Sequence, residues 1–208
     1  ALLSPFLPSQ TAGTMLTLDG LKHYVHIPDK PSLRLGGDLT IEAWVRLPPS
    51  QSAMGNETGI VGKGTSMTAR LNGYGLRLAN SNNRLIFGIS DMVNFQSVTG
   101  ATNLGTGKWI HIAGVRSRMW LTMYVNGIQD AQPVRRTVNQ NGTYGPLQIG
   151  ALGPYIVADH HLQGDIDEVR LWALARTPGE VLASCNSRIN PRTPGLVGYW
   201  RFDEKPND

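Results

Sequence analysis

Apolar and polar residues alternate along most of this chain with a period of two, and residues 39–47 show the pattern most clearly. The segment LTIEAWVRL carries apolar residues at every odd position and Thr40, Glu42, Trp44 and Arg46 between them. Side chains of a strand alternate between its two faces, so this segment is predicted to be a strand with one face in the core. Shorter segments of the same kind follow, separated by turns rich in Gly, Asn and Pro. The pattern predicts about a dozen short strands.

Two local motifs refine this prediction. Asn126-Gly127 follows the strand-like LTMYV and is typical of a type I′ turn. The tetrapeptide Thr177-Pro178-Gly179-Glu180 has the residues of a capping box, with Pro at the first helical position, and it predicts one short helix near 178–185. Many strands and one short helix favour an all-β fold in which two antiparallel sheets form a sandwich.

Composition and charge exclude several classes of protein. The 208 residues include 24 Gly and 13 Pro, and the net charge is +4. The basic residues are scattered and no apolar run approaches membrane-spanning length, so neither nucleic-acid binding nor membrane insertion is expected. Cys185 is the sole cysteine, which excludes an internal disulfide. The N-terminal ALLSPFLPSQ lacks the features of a signal peptide, which indicates a mature chain or part of a longer protein.

The order of the strand-like blocks resembles that of a known family. These blocks are LTLDG, YVHI, LTIEAWVRL, GIVGKG, YGLRL, RLIFGI, KWIHIAGV, LTMYVNG, LQIG, GDIDEVRLW and GLVGYWRFDE. Together they resemble the laminin-G-like jelly-roll domains of the concanavalin A-like lectin and glucanase superfamily. The resemblance implies a jelly-roll domain over residues 13–204, with an N-terminal extension at 1–12 and a tail at 205–208. It also implies a secreted or cell-surface accessory module that binds glycans or proteins, often with a calcium ion.

Acidic residues in GDIDEVRLW raise the question of catalysis. Glucanases of this superfamily carry Glu, Asp and Glu at alternating positions of one strand, some with an extra residue before the last Glu. The corresponding positions here are Asp165, Asp167 and then Val169, or Arg170 with the extra residue. Glycosidases need two carboxyl groups, and neither valine nor arginine can act as a general acid. The chain is therefore predicted not to be an enzyme.

The alternation of apolar and polar residues is interrupted in the same segment. Ile166 is out of phase with Val169 and Leu171, and a β-bulge near Asp167–Glu168 would restore the alternation. Asp167 would then lie at the margin of the sheet and accept hydrogen bonds from backbone N–H groups or an arginine. Asp167→Asn is accordingly predicted to lower the melting temperature.

Exposed aromatic side chains beside Asn, Arg and Asp suit a sugar, because the ring stacks on an apolar sugar face while polar groups hold hydroxyls. Trp44, Trp109, Trp172 and Trp200 lie inside the strand blocks and are predicted to be packing residues. His160-His161 lacks a third ligand and is predicted to be a loop pair rather than a zinc site. The candidate ligand-binding residues, which could alternatively only cover loop edges, are Asn72, Tyr74, Arg77, Arg116, Arg118, Trp120, Tyr155, Asp159 and His160.

A structural calcium ion is expected between Asp19 and Asp203. Asp19 closes the first strand and Asp203 the last, and the termini of a compact domain often lie close together. Some relatives bind calcium near this seam. The alternative is that Asp19 belongs to an Asp-Gly turn and Asp203 caps a strand end. A pentraxin-type double-calcium site is not expected, because the loop ALGPYIVADHH holds only one acid, Asp159.

Three functions remain open at this point. The first is a non-catalytic carbohydrate-binding module that acts through loops at one rim of the sandwich. The second is a protein-adhesion or structural module, since a fold does not determine a function. The third is binding of a heparin-like polyanion through Arg116, Arg118, Arg135 and Arg136, which requires these side chains on one face.

Overall fold

Two antiparallel sheets form the framework of the described residues. The computed structural model describes residues 14–49, 57–64, 73–79, 81–140, 142–151, 161–185 and 187–203. The first sheet has the order β1-β13-β3-β8-β9-β10, with β14 also on β13 and β11 also on β9. Its strands are β1 (Leu16–Asp19), β3 (Leu39–Arg46), β8 (Trp109–Arg116), β9 (Trp120–Val125), β10 (Ile128–Gln129), β11 (Val134–Arg135), β13 (Gln163–Trp172) and β14 (Leu196–Trp200).

The second sheet has the order β2-β12-β4-β5-β6-β7. Its strands are β2 (Val25–Ile27), β4 (Glu57–Lys63), β5 (Gly73–Ala79), β6 (Arg84–Ser90), β7 (Phe95–Asn103) and β12 (Leu147–Ile149). The sandwich predicted from the alternating pattern is confirmed. In the described residues no helix is long and apolar enough to cross a membrane.

The core lies between the inner faces of the two sheets. The apolar odd positions of 39–47 are all fully buried there, as predicted. Thr40 and Glu42, at even positions, are buried as well, which differs from the predicted strand with one face in the core. Trp44 is buried, in agreement with its assignment as a packing residue. Helix α1 (Pro178–Cys185) covers this outer face, with Val181 packed beside the side chain of Tyr124. Strand β3 is therefore enclosed on both faces.

The two local motifs form as predicted. Glu180 accepts a hydrogen bond from the backbone N–H of Thr177 at 2.7 Å, and the Glu180 N–H donates to the Thr177 hydroxyl at 3.3 Å. This reciprocal pair is the capping box, and it begins α1. Asn126 and Gly127 have φ of 49° and 75°, as a type I′ turn requires.

The predicted bulge is also present. The register between β13 and β3 shifts between Asp167 and Arg170, and Glu168 has a left-handed φ of 51°. The extra residue brings Ile166, Val169 and Leu171 onto the inner face, where all three are fully buried. The same shift leaves Arg170 on the outer face, at the position of the missing glucanase acid.

Candidate functional site

The acids of β13 are engaged in structural contacts. The Asp165 carboxylate accepts hydrogen bonds from Arg46 Nε at 2.7 Å and from the Thr17 hydroxyl at 2.8 Å. Glu168 pairs with Arg170 Nη2 at 2.6 Å and accepts a hydrogen bond from the Tyr199 hydroxyl. Arg170 occupies the third position, so the strand lacks the Glu, Asp and Glu arrangement of the superfamily's glucanases.

A buried polar cluster lies between β3, β8, β13 and α1. The Glu42 carboxylate is 3.5 Å from Arg170 Nη1, 3.4 Å from Arg176 Nη1 and 3.3 Å from the Ser184 hydroxyl. Burial raises the pKa of Glu42, and the two arginines oppose that shift. Charged groups removed from water need this kind of mutual pairing, so the cluster fixes α1 to the sheet.

Within this cluster Cys185 Sγ lies 3.1 Å from His111 Nδ1. The pair looks like a nucleophile beside a base, but its pKa values oppose that role. Burial, together with the Glu42 charge, raises the pKa of the Cys185 thiol to about 12. Burial and two nearby arginines lower the pKa of His111 to about 3. A protonated thiol beside a neutral imidazole is not an activated nucleophile, so Cys185 is a structural residue.

The ligand-binding role predicted for two residues of the second sheet is wrong, because both side chains are buried. Tyr74 lies in β5 rather than in a loop; it is fully buried, and its hydroxyl donates to the Leu33 carbonyl at 2.6 Å. Arg77 is also buried, pairs with Glu57 at 2.6 Å and stacks over the Phe95 ring. Neither side chain presents a free surface to a sugar.

Arg116 is a third correction. It lies on the inner face of β8, fully buried, and donates hydrogen bonds to the Gln140 side chain and to the carbonyls of Leu35 and Gly37. Burial lowers its pKa to about 10. Arg116 thus holds the segment that leads into β3. The four-arginine surface predicted for a heparin-like ligand does not form, since only Arg118, Arg135 and Arg136 of that set are accessible.

The structure describes two of the remaining candidates, Arg118 and Trp120. Arg118 and Trp120 are exposed at the β8–β9 hairpin. Asn72, Tyr155, Asp159 and His160 lie outside the described residues. The described ends of the β12–β13 connection, Ala151 and His161, lie at the opposite end of the first sheet. There Leu162 bonds to Gly150 and Gly20 beside the start of β13, whereas the hairpin lies beside the start of β3.

Asp19 and Asp203 do not fit one calcium site. The Thr14 hydroxyl bonds to the Phe202 carbonyl, which places Asp203 at the start of β1. Asp19 ends that strand, so roughly 16 Å of extended chain separates the two carboxylates. Backbone N–H groups of residues 21–23 bond to Asp19 and hold its pKa well below its usual range. In the part of the chain that the structure describes, no three His, Cys, Asp or Glu side chains form a metal-binding group.

Asp203 instead lines a cleft beside the end of β14. The cleft has a volume of about 400 Å³ and is lined by Pro191, Tyr199, Trp200, Arg201, Phe202 and Asp203. We call it the β14 cleft. Trp200 packs against the core, as predicted, but its side chain is only half-buried and part of it remains accessible. The sequence YWRFD carries the missed signal, because the strand ends in two aromatic residues that are followed by Arg201, Phe202 and Asp203.

The backbone of the β14 cleft depends on two unusual positions. A Cβ at Gly198 would lie 2.4 Å from Trp200 Cη2, so the indole lies directly over Gly198 and would have to move to admit a side chain there. Phe202 has a φ of 51°, a left-handed conformation that costs a residue other than glycine about 1–2 kcal/mol. The resulting change of direction brings the Asp203 carboxylate to Arg188 Nη2, at 3.1 Å.

Asp167 lies close to this cleft, and its raised pKa changes the expected effect of Asp167→Asn on stability. Its carboxylate accepts a hydrogen bond from the Glu168 N–H at 2.8 Å, as expected for the sheet margin. Burial, reinforced by the negative charges of Glu168 and Asp203, nevertheless raises its pKa from 3.8 to about 6. Ionised Asp167 therefore destabilises the fold, and the predicted sign of the effect of Asp167→Asn reverses.

We expect Asp167→Asn to raise the melting temperature at pH 7.5. The folded protein binds this proton more tightly than the unfolded chain, so the free energy of unfolding falls as the pH rises from about 4 to about 6. Asparagine removes that loss and can still accept the Glu168 N–H. Solvent screening of this half-buried group limits the gain to about 1 kcal/mol, or about 2–4 °C.

Thermal melts at pH 4 and pH 7.5 measure the effect, and the difference between variant and parent should shrink at pH 4. Asp165→Asn is the matched control and should lower the melting temperature, because it weakens the pair with Arg46. A lower melting temperature for Asp167→Asn at pH 7.5 would restore the original prediction.

Comparisons with known proteins identify the family of the chain. A laminin-G family model, described as the concanavalin A-like lectin/glucanases superfamily, matches residues 19–182. Pappalysin-1 of Mus musculus is 25% identical over 191 residues, which cover 82% of this chain. The chain spans only 12% of the length of that relative.

Two solved structures show the same fold. A Bacteroides ovatus protein, provisionally described as carbohydrate-binding, matches with a TM-score of 0.67 and 18% identity over 94% of this chain and 54% of its own. Domain 4 of an extracellular arabinanase from Geobacillus stearothermophilus, solved with arabinotriose, matches with a TM-score of 0.57 and 18% identity. That match covers 83% of this chain and 76% of the other. With a family model matched across most of its length, this chain belongs to the concanavalin A-like lectin/glucanases superfamily.

Proposed function

We propose that the protein is a carbohydrate-binding module without catalytic activity, and that it holds its ligand in the β14 cleft. One observation carries the proposal: Tyr199, Trp200 and Phe202 share a cleft of about 400 Å³ with Arg201 and Asp203. Ligand sites of proteins typically have volumes of about 300–1,000 Å³ and combine apolar walls with a few polar groups.

The chemistry of the cleft suits a sugar ring. Aromatic side chains offer apolar faces of the size of a pyranose, and half-buried rings retain accessible surface for stacking. The Arg201 guanidinium supplies hydrogen-bond donors and the Asp203 carboxylate supplies acceptors, which together match the two roles of a sugar hydroxyl. The absence of the third acid on β13 supports binding without hydrolysis.

The relatives support the same conclusion. The Bacteroides ovatus protein is provisionally described as carbohydrate-binding, and the arabinanase domain was solved with arabinotriose. The arabinanase is described as extracellular. As part of the proposal, we extend carbohydrate binding and a secreted or cell-surface location to this chain. We also propose that it is part of a longer protein.

Affinity electrophoresis against a panel of neutral and acidic polysaccharides tests the proposal. At least one polysaccharide should retard the protein, Trp200→Ala and Arg201→Ala should each restore its mobility, and no reducing ends should be released. Trp120→Ala, which alters an exposed indole at the β8–β9 hairpin, is the control and should be retarded like the parent. Free migration through every polysaccharide, or loss of retardation only in Trp120→Ala, would contradict the proposal.

A second candidate function, protein adhesion, rests on the β8–β9 hairpin. Met119 and Trp120 are 50% and 42% exposed, and Arg136 N–H bonds to the Met119 carbonyl. Exposed apolar side chains that lie together are typical of surfaces that contact other proteins. In this case Trp120→Ala, rather than the cleft variants, should abolish binding to a protein partner.

A further inference from the structure

Two arginines share one carboxylate at the mouth of the β14 cleft. Arg188 Nη2 is 3.1 Å from Asp203 Oδ1, and Arg201 Nε is 3.4 Å from Asp203 Oδ2. The arginine side chains are 47% and 43% exposed, whereas the Asp203 side chain is 17% exposed. The carboxylate therefore lies between and below two guanidinium groups. These three groups carry a net charge of +1 at neutral pH.

Among the residues that the structure describes, the other acids nearby leave this excess in place in mildly acidic solution. Glu168 is neutralised by Arg170 at 2.6 Å and by the hydrogen bond from Tyr199. Asp167 has a raised pKa of about 6, so it loses its charge in mildly acidic solution. Each guanidinium has five N–H donors, and the contacts with Asp203 use one nitrogen of each. Donors thus remain at the mouth of the cleft.

We propose that the β14 cleft prefers sugars that carry a carboxylate, such as the uronic acid residues of acidic glycans. This inference rests on the proposed carbohydrate-binding function and names its ligand class. A guanidinium matches a carboxylate with two parallel hydrogen bonds, and such charge-assisted pairs are stronger than neutral ones. The sugar ring stacks on Trp200 or Phe202, and its carboxylate meets Arg201 and Arg188. A neutral sugar can use the aromatic faces but not the excess positive charge.

Calorimetric titration with oligogalacturonate and with its methyl ester tests the preference, because the two probes differ in the charge of the same group. At pH 5.5 and low salt, the acid should bind at least tenfold more tightly than the ester. The difference should decrease in 0.5 M NaCl, since salt screens exposed charges. Oligoxylose serves as a neutral probe, and a sulfated galactan oligosaccharide distinguishes carboxylate recognition from attraction to any anion.

Substitutions test which residues produce the preference for a carboxylate. Arg188→Gln should reduce the affinity for oligogalacturonate to that of the ester and leave the affinity for the ester unchanged. Arg201→Gln should weaken the binding of both probes, with the larger loss for the acid, because Arg201 also lines the cleft. Arg192→Gln is the control, because Arg192 is exposed on the same segment and lies in no ion pair among the described residues. Asp167→Asn should increase the affinity for the acid at pH 7.5, where it removes an opposing charge.

The outcomes separate this inference from the proposed function. If the methyl ester or oligoxylose binds in the cleft as tightly as the acid, or if the sulfated probe binds more tightly, the carboxylate preference is wrong and carbohydrate binding stands. If both arginine variants still bind the acid more tightly than the ester, the preference does not arise at this cleft. If no glycan binds to the parent protein, both the proposed function and the preference are wrong.

Discussion

Arg170→Met is expected to lower the free energy of unfolding by about 3–5 kcal/mol, because it removes the arginine that two buried carboxylates share. Arg170 pairs with Glu168 at 2.6 Å and lies 3.5 Å from Glu42. It also donates to the Ser184 carbonyl, at 3.2 Å, near the end of α1. Methionine is of similar length but satisfies none of these groups. The melting temperature should fall by about 6–20 °C in a domain of this size.

Thermal and urea unfolding of the purified variant measure this loss. Arg192→Met is the matched control, since it makes the same replacement at an exposed position and should change the melting temperature by less than about 2 °C. An Arg170→Met protein that melts like the parent would show that the buried charge cluster does not stabilise the contact between α1 and the sheet.

Trp44→Ala is expected to cost about 3–5 kcal/mol, the usual range for a buried tryptophan that is replaced by alanine. Trp44 is 5% exposed on the outer face of β3, and its ring packs edge-on against His111 with centroids 5.5 Å apart. Alanine would leave a cavity beside the polar cluster under α1. The melting temperature should fall by about 6–20 °C.

Differential scanning calorimetry of Trp44→Ala and Trp120→Ala gives a direct comparison, because Trp120 is 42% exposed and its removal should cost little. Glycan binding should survive in Trp44→Ala below its melting temperature. A stable Trp44→Ala protein that has lost a ligand would instead identify Trp44 as a binding residue.

The fold followed from local patterns, because strands and caps leave periodic traces in a sequence. The alternation over 39–47 and the phase change at Ile166 depend only on which face a side chain occupies, and both were confirmed. The same argument could have corrected Arg116. In KWIHIAGVR, Arg116 is in phase with Ile110 and Ile112, which are buried on the inner face.

The candidate site was harder to predict, because it depends on contacts between distant segments. Asp203 meets Arg188 only because Phe202 adopts a left-handed φ, which no local pattern indicates. The raised pKa of Asp167 arises mainly from burial, with a smaller contribution from the charge of Asp203, which follows β14. Tyr74 was chosen as a candidate for its aromatic ring, although it lies within strand β5 and is fully buried.

Titration of the ¹⁵N-labelled protein with oligogalacturonate tests the central claim most directly. The chain contains five tryptophans, so its indole N–H signals form a small set that single Trp→Phe variants can assign. The proposed site predicts that the Trp200 signal shifts in a saturable manner, that the Trp120 signal does not move, and that the oligosaccharide remains intact. If the Trp120 signal shifts while the Trp200 signal stays fixed, or if the oligosaccharide is cleaved, a non-catalytic binding site in the β14 cleft is contradicted.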